Sequence, residues 1–227
     1  MITQQDVTNY WNKEVCGTRF SKEQTPENYY KEIVENRYYC EPYIKDFAFS
    51  KDEFNISNKT ILEIGVGAGT DFIGFLKRKA ICYGIDATDS SINETNKHIK
   101  SSLKENEYNL QFLEKINAEN LPFDNNKFDL VYSHGVLHHA KKTMQCFSEA
   151  IRVLKTGGTI KFMVYSDFSA TGLMLWGLHG LTKGRPFLSQ EEIIFKFLES
   201  PGTKCYSKKE LRKILEGFGL EDIKMNK

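Results

Sequence analysis

Short runs rich in β-branched residues alternate along this chain with stripes of apolar residues spaced three and four apart. The runs fall at 60–64, 80–85, 110–116, 128–133, 159–165 and 220–225. Between and after them lie the stripes Phe72, Ile73, Phe75 and Leu76, then Met144, Phe147, Ile151 and Leu154, then Leu211, Ile214, Leu215 and Phe218. Compact apolar runs predict buried strands, and the 3.6-residue period predicts helices with one buried face. Their alternation predicts an α/β fold, a Rossmann-like, doubly wound and mostly parallel sheet of six to seven strands. Helix ends are marked as well. Thr25 and Pro26 stand as N-cap and first helical residue, ahead of Tyr29, Tyr30, Ile33, Val34 and Arg37. Ser91 with Glu94, Ser189 with Glu192 and Ser207 with Glu210 have capping-box spacing, the first opening a helix that reaches to about Asn106. Lys155, Gly157 and Gly158 close the Met144 helix in C-cap fashion.

No repeat, low-complexity tract or linker divides the 227 residues, which suffice for one core. The chain reads as a single domain: a helical cap over 1–57, a core over 58–165, an insertion over 166–206 that roofs the site, and a closing helix and strand over 207–227.

The first strand breaks into Gly65, Gly67 and Gly69 just before a helix begins. Glycine suits a tight turn with φ > 0, and it lets a ligand lie against bare main chain. A dinucleotide site has G-x-G-x-x-G and turns its helix N-terminus to a pyrophosphate. Here the spacing is G-x-G-x-G, and Glu63 stands at the strand end, where a carboxylate repels phosphate and attracts an ammonium or a sulfonium. That opposes a nicotinamide oxidoreductase. Asp86 ends the second strand about twenty residues on, the separation at which an acidic residue meets a ribose.

Composition narrows the partners. The 31 Lys and Arg nearly balance the 30 Asp and Glu, so nothing calls for a polyanion, and nucleic acid is not expected. The five cysteines lack C-x-x-C spacing, which fits buried thiols in a reducing cytoplasm and no metal site. The start of the chain has no signal-peptide apolar core. The apolar window 170–181 is too short to span a bilayer and is broken by Gly172, Gly177 and His179.

The stretches 62–72, 84–86, 117–123 and 128–139, in that order, resemble the successive motifs of class I S-adenosylmethionine-dependent methyltransferases, most of all the methyltransferase-11 subgroup. The resemblance covers about residues 58–165. It implies S-adenosylmethionine as cofactor and S-adenosylhomocysteine as product. It also implies a cofactor site of Glu63, Gly65, Gly67, Gly69, Thr70, Asp86, Ala87, Asn117, Ala118, Glu119, Ser133 and His134. Asn117 stands where the family usually has an acidic residue beside adenine. Its oxygen still accepts, and its amide adds a donor. The fold of that family normally finishes with two antiparallel strands, one more than is counted here, so the sheet is expected to end in an open edge, with a homodimer or a longer natural chain as the two ways of covering it.

The Asn/Asp-Pro-Pro-aromatic motif of nucleobase-amino methyltransferases is absent after the fourth strand. In its place His138 and His139 are candidates for a base that removes a hydroxyl proton. Arg37, Arg185 and Lys204 lie in the cap and roof and predict an anionic acceptor. The expected activity is O-methylation of a small molecule. Trp11-Asn12-Lys13 and the late Glu-Ser-Pro-Gly-Thr-Lys segment resemble enzymes that decorate bacterial surface polysaccharides or related metabolites. The competing reading is a protein that kept the fold and the cofactor but not turnover.

Overall fold

The computed structural model describes residues 3–23, 25–50, 55–200 and 202–226. Five parallel strands, β1 (Thr60–Ile64), β2 (Ile81–Asp86), β3 (Asn109–Lys115), β4 (Phe128–His134) and β5 (Leu154–Met163), form one sheet in the order β3-β2-β1-β4-β5. Successive side chains of a strand point to opposite faces. Ile61, Leu130 and Tyr132 therefore join one core with Phe72, Phe75 and Leu76, while Leu62, Ile64 and Val131 join the other with Phe147 and Ala150. Burial on both faces explains why β1 and β4 read as continuous apolar runs. The strand order reverses between β1 and β4, and a crevice opens there at the carboxyl ends of the strands.

Among the described residues three α-helices precede the sheet: α1 (Gln4–Lys13), α2 (Pro26–Cys40) and α3 (Tyr43–Phe49). The sheet helices are α4 (Thr70–Lys77), α5 (Asp89–Ser102) and α6 (Thr143–Arg152). After β5 a two-residue strand β6 (Tyr165–Ser166) leads into the insertion, with α7 (Ala170–Leu175), further helical turns through Lys183, and α8 (Gln190–Phe197) under the expected Ser189–Glu192 capping box. The chain returns through β7 (Cys205–Tyr206), which pairs with β6, and runs on into α9 (Lys208–Gly217).

Three boundaries differ from expectation. The helix begun at Met144 stops at Arg152, and Leu154 belongs to β5. The amides of Lys127 and Phe128 both donate to the Val153 carbonyl and draw that segment into the ladder, so Gly157 sits within a strand. Helix α5 is capped by Thr88, whose hydroxyl accepts from the Ser91 amide at 3.2 Å, while Glu94 instead accepts from the Tyr30 hydroxyl at 2.8 Å; the helix stops at Ser102, short of Asn106. Residues 220–225 form no strand, and among the described residues the main sheet has five. Asp222 takes a left-handed φ of 51°, which breaks the extended run, and the Arg212 and Lys208 side chains occupy the Ile223 and Met225 carbonyls.

Candidate active site

The crevice is a cleft of about 1040 Å³, its open mouth included, running from the glycine turn to the short 3₁₀ turn Leu137–His139. All three glycines of the turn have positive φ. A Cβ on Gly65 would lie 2.2 Å from a Val136 methyl, and one on Gly67 would lie 3.1 Å from the Cys16 carbonyl. The turn is held from α5, where the Thr95 hydroxyl donates to the Gly67 carbonyl at 2.9 Å and His98 Nδ1–H donates to the Ala68 carbonyl at 2.7 Å. Helix α1 closes the other wall with Gln4, Val7, Thr8 and Trp11. It is pinned by the Lys141 amide on Gln4 Oε1 at 3.0 Å and the Ser90 hydroxyl on Asn12 at 3.0 Å.

Glu63 is 3% exposed and lines the cleft, yet its Oε2 has no hydrogen-bond partner. Burial pushes its carboxyl well above the usual range, and Asp71 and Asp86 push the same way against Arg37. A buried carboxylate lacking a partner is costly, and a cationic ligand group supplies one. Asp86 Oδ2 accepts from the Gly67 amide at 3.2 Å, and Oδ1 accepts from the Thr88 amide and hydroxyl at 3.0 and 2.9 Å. Asp71, which the sequence reading passed over, accepts from the Tyr38 and Tyr132 hydroxyls at 2.9 and 2.8 Å.

Of the expected cofactor residues, Glu63, Gly65, Gly67, Thr70, Asp86, Ala87, Asn117, Ala118 and His134 line the cleft together. Gly69 caps α4 from behind, against Thr95. Ser133 is buried and donates to the Ile64 carbonyl, and Glu119 turns away to accept the Lys142 amide at 2.9 Å. Asn117 Oδ1 takes the Glu119 amide at 3.0 Å, which leaves one lone pair and the amide donors for a ligand.

The histidines separate. His134 Nδ1 lies 3.3 Å from Arg37 Nη2, which can only donate, so His134 carries its proton on the buried, unpartnered Nε2. Burial, then Arg37, lowers its pKa to about 4. His138 lies off the cleft against Tyr165, its ring nitrogens without partners, and burial keeps it neutral. His139 lines the cleft beside the Trp11 ring, its Nε2 3.4 Å from Glu199 Oε2. Glu199 escaped the sequence reading as a site residue: it lies sixty positions downstream, and only the insertion brings it here.

The expected cations divide too. Arg37 lines the cleft but faces Glu41 at 3.5 Å and Asp71 at 4.0 Å. Arg185 is exposed on the insertion, outside the cleft. Lys204 donates to the Ala140 carbonyl at 2.7 Å and braces the turn from behind.

A family model described as a methyltransferase domain, methyltransferase-11, matches residues 62–162. The ubiquinone biosynthesis O-methyltransferase of Pelagibacter ubique (strain HTCC1062) is 25% identical over 70% of this chain and 67% of its own. An uncharacterised methyltransferase of Bacillus subtilis (strain 168), YcgJ, is 31% identical over 48% of this chain, which spans only 41% of that relative. Among solved structures, magnesium protoporphyrin IX methyltransferase (ChlM) from Synechocystis PCC 6803 with bound SAH has a TM-score of 0.65 at 16% identity, over 96% of this chain and 89% of its own, a likeness of fold.

Proposed function

Residues 62–162 belong to the class I S-adenosylmethionine-dependent methyltransferases, methyltransferase-11-like, and from that membership we propose that the protein methylates a hydroxyl oxygen of a small molecule. The cofactor of the domain is S-adenosylmethionine, which supplies an already activated methyl group. Glu63 fits its ammonium, the glycine turn its methionine backbone, Asp86 its ribose, and Asn117 with the Ala118 main chain its adenine. The protein's own work is to hold the acceptor about 3–3.5 Å from the reacting carbon, in line and away from water. Val7, Trp11 and Val136 line the cleft for that exclusion. A hydroxyl acceptor also loses a proton, and His139 is the base.

The observation that carries this reading is His139 itself: a cleft-lining imidazole whose Nε2 has no hydrogen-bond partner. The name of the Pelagibacter relative, an O-methyltransferase, points the same way. A sugar, a phosphorylated metabolite or a surface-polysaccharide precursor remains the acceptor class we favour. Arg37 is the one expected cation that lines the cleft, so hydroxyl recognition carries the proposal more than negative charge does.

Extract incubated with methyl-labelled S-adenosylmethionine, resolved by mass spectrometry, is expected to yield a labelled small molecule. His139→Ala should lower that turnover about 10²–10⁴-fold, the contribution of a general base, while S-adenosylhomocysteine affinity stays within about twofold. Binding of S-adenosylhomocysteine without methyl transfer to any extract component would favour a protein that retains only the cofactor.

A further inference from the structure

We propose that Glu199 is a positioning residue for proton removal: it holds a carboxylate oxygen against the bare Nε2 of His139, so that the proton leaving the acceptor settles between them. This rests on His139 being the base.

The contacts of Thr203 favour one tautomer. The Thr203 hydroxyl lies 2.7 Å from the Ser200 carbonyl and 3.0 Å from the Leu198 carbonyl. Its single hydrogen is committed to a carbonyl, so toward His139 Nδ1, 2.9 Å away, it can only accept. The Ser200 hydroxyl, 2.8 Å from the same nitrogen, is the second oxygen there. In the tautomer that Thr203 favours, Nδ1 carries the ring hydrogen, both hydroxyl oxygens accept from it, and Nε2 of the neutral imidazole is bare. It is buried and without a hydrogen-bond partner, 3.4 Å from Glu199 Oε2. Two lone pairs face each other. A proton arriving on Nε2 turns that repulsion into a charge-assisted hydrogen bond.

The carboxylate is held for this purpose. Tyr165 donates to the same Oε2 at 2.8 Å, and the β6–β7 ladder fixes Tyr165 beside the returning chain. Burial alone would raise the Glu199 carboxyl, but the hydrogen bond from a protonated His139, then the one from Tyr165, holds it below its ordinary range. Glu199 itself adopts a left-handed φ of 54°, a costly conformation for a side chain with a Cβ, and such outliers gather at functional sites. The segment after it clasps the histidine turn: the Lys204 amide donates to the His138 carbonyl at 3.0 Å. The other rings against His139 are Trp11, Tyr165 and the neutral His138.

In the step, the acceptor O–H bond would break toward Nε2 with the pair left on oxygen, while bound S-adenosylmethionine would supply the methyl group, its C–S bond breaking and the pair leaving on sulfur as S-adenosylhomocysteine. The Nε2–H then donates to Glu199 until product leaves and the proton passes to water.

The test uses ¹⁵N-histidine-labelled protein saturated with S-adenosylhomocysteine, with His139 assigned by its loss in His139→Gln. Above neutral pH the wild type is expected to show the Nδ1–H tautomer, and Thr203→Val a mixture. On acidification a downfield Nε2–H proton, bonded to the carboxylate, should appear in the wild type and be missing in Glu199→Gln. An Nε2–H tautomer in the alkaline wild type would overturn the inference, because the nitrogen would already be donating and could take no proton. So would an unchanged downfield signal in Glu199→Gln. An unchanged signal in Glu199→Gln leaves the role of His139 to be decided by His139→Ala turnover, whereas an Nε2–H tautomer removes the base as well, so the two failures are distinguishable.

Discussion

At the scale of the residue, Asp86 shows how a nearly filled hydrogen-bond set still leaves room for a ligand. A carboxylate offers about four lone-pair sites, and the Gly67 amide with the Thr88 amide and hydroxyl take three. Thr88 Oγ1 also lies 2.8 Å from the Ser91 hydroxyl, so turning its hydrogen there frees a second site for a diol. Asp86→Asn keeps the shape and loses the charge. A hydrogen bond to a charged group is worth about 1.5–3 kcal/mol, so S-adenosylhomocysteine affinity measured by calorimetry should fall at least about tenfold. Glu63→Gln is expected to weaken it less. His98 makes a second case. Burial lowers its pKa, like that of His134, to about 4. The unfolded imidazole titrates near about 6.5, so below that pH the unfolded chain binds a proton the fold refuses. The stability each contributes is complete above about 6.5, declines on acidification, and is gone below about 4. Glu63 and Asp86, with raised pKa, act with the opposite sign, so the comparison must be made between variants. In urea titrations His98→Gln should lose less stability than the wild type between about pH 7 and about pH 4.5, and an equal loss would remove His98 from the acid response.

At the scale of the element, the parts legible in the sequence were those whose cause is local. The turn from β1 to α4 needs glycine at three positions because its own backbone is left-handed there, and that necessity is written in adjacent residues. Strand runs and helix stripes were equally readable where a single face or period dominated. Legibility failed where distant groups decide. Whether Leu154 ends a helix or begins a strand depends on amides of Lys127 and Phe128, and Glu199 reaches His139 only because β6 and β7 pair. Helix α1 belongs to the same class, since its apolar spacing does not say which surface it covers. It meets the cleft through Trp11 and Val7, and meets the protein through Gln4 and Asn12. A segment held by so few bonds opens at low free-energy cost, and a ligand beneath it shifts the balance toward closure. Saturating S-adenosylhomocysteine is therefore expected to slow proteolysis within residues 3–13 at least about fivefold, read by mass spectrometry of the fragments. Equal cleavage with and without ligand would show that α1 is not coupled to the cleft.

At the scale of the whole molecule, the five-stranded order leaves β5 at one margin of the sheet. The Met163 carbonyl accepts from the Gly135 amide on the β4 side, and successive residues of a strand alternate sides, so Ile160 and Phe162 turn their backbone groups outward. Among the described residues no other strand pairs with that margin of the sheet. An edge with bare amides is a template for another strand, and pairing of two copies is the association we propose. Its signature is residue-specific. In a monomer the Ile160 and Phe162 amides should exchange with solvent faster than those of Lys161 and Met163, whereas in a dimer joined at β5 all four should be protected and the difference should vanish on dilution. Light scattering across the same concentrations shows whether mass follows protection. A concentration-independent monomer whose Ile160 and Phe162 amides are nonetheless protected would mean that the edge is covered within the chain, and the proposed pairing would fall.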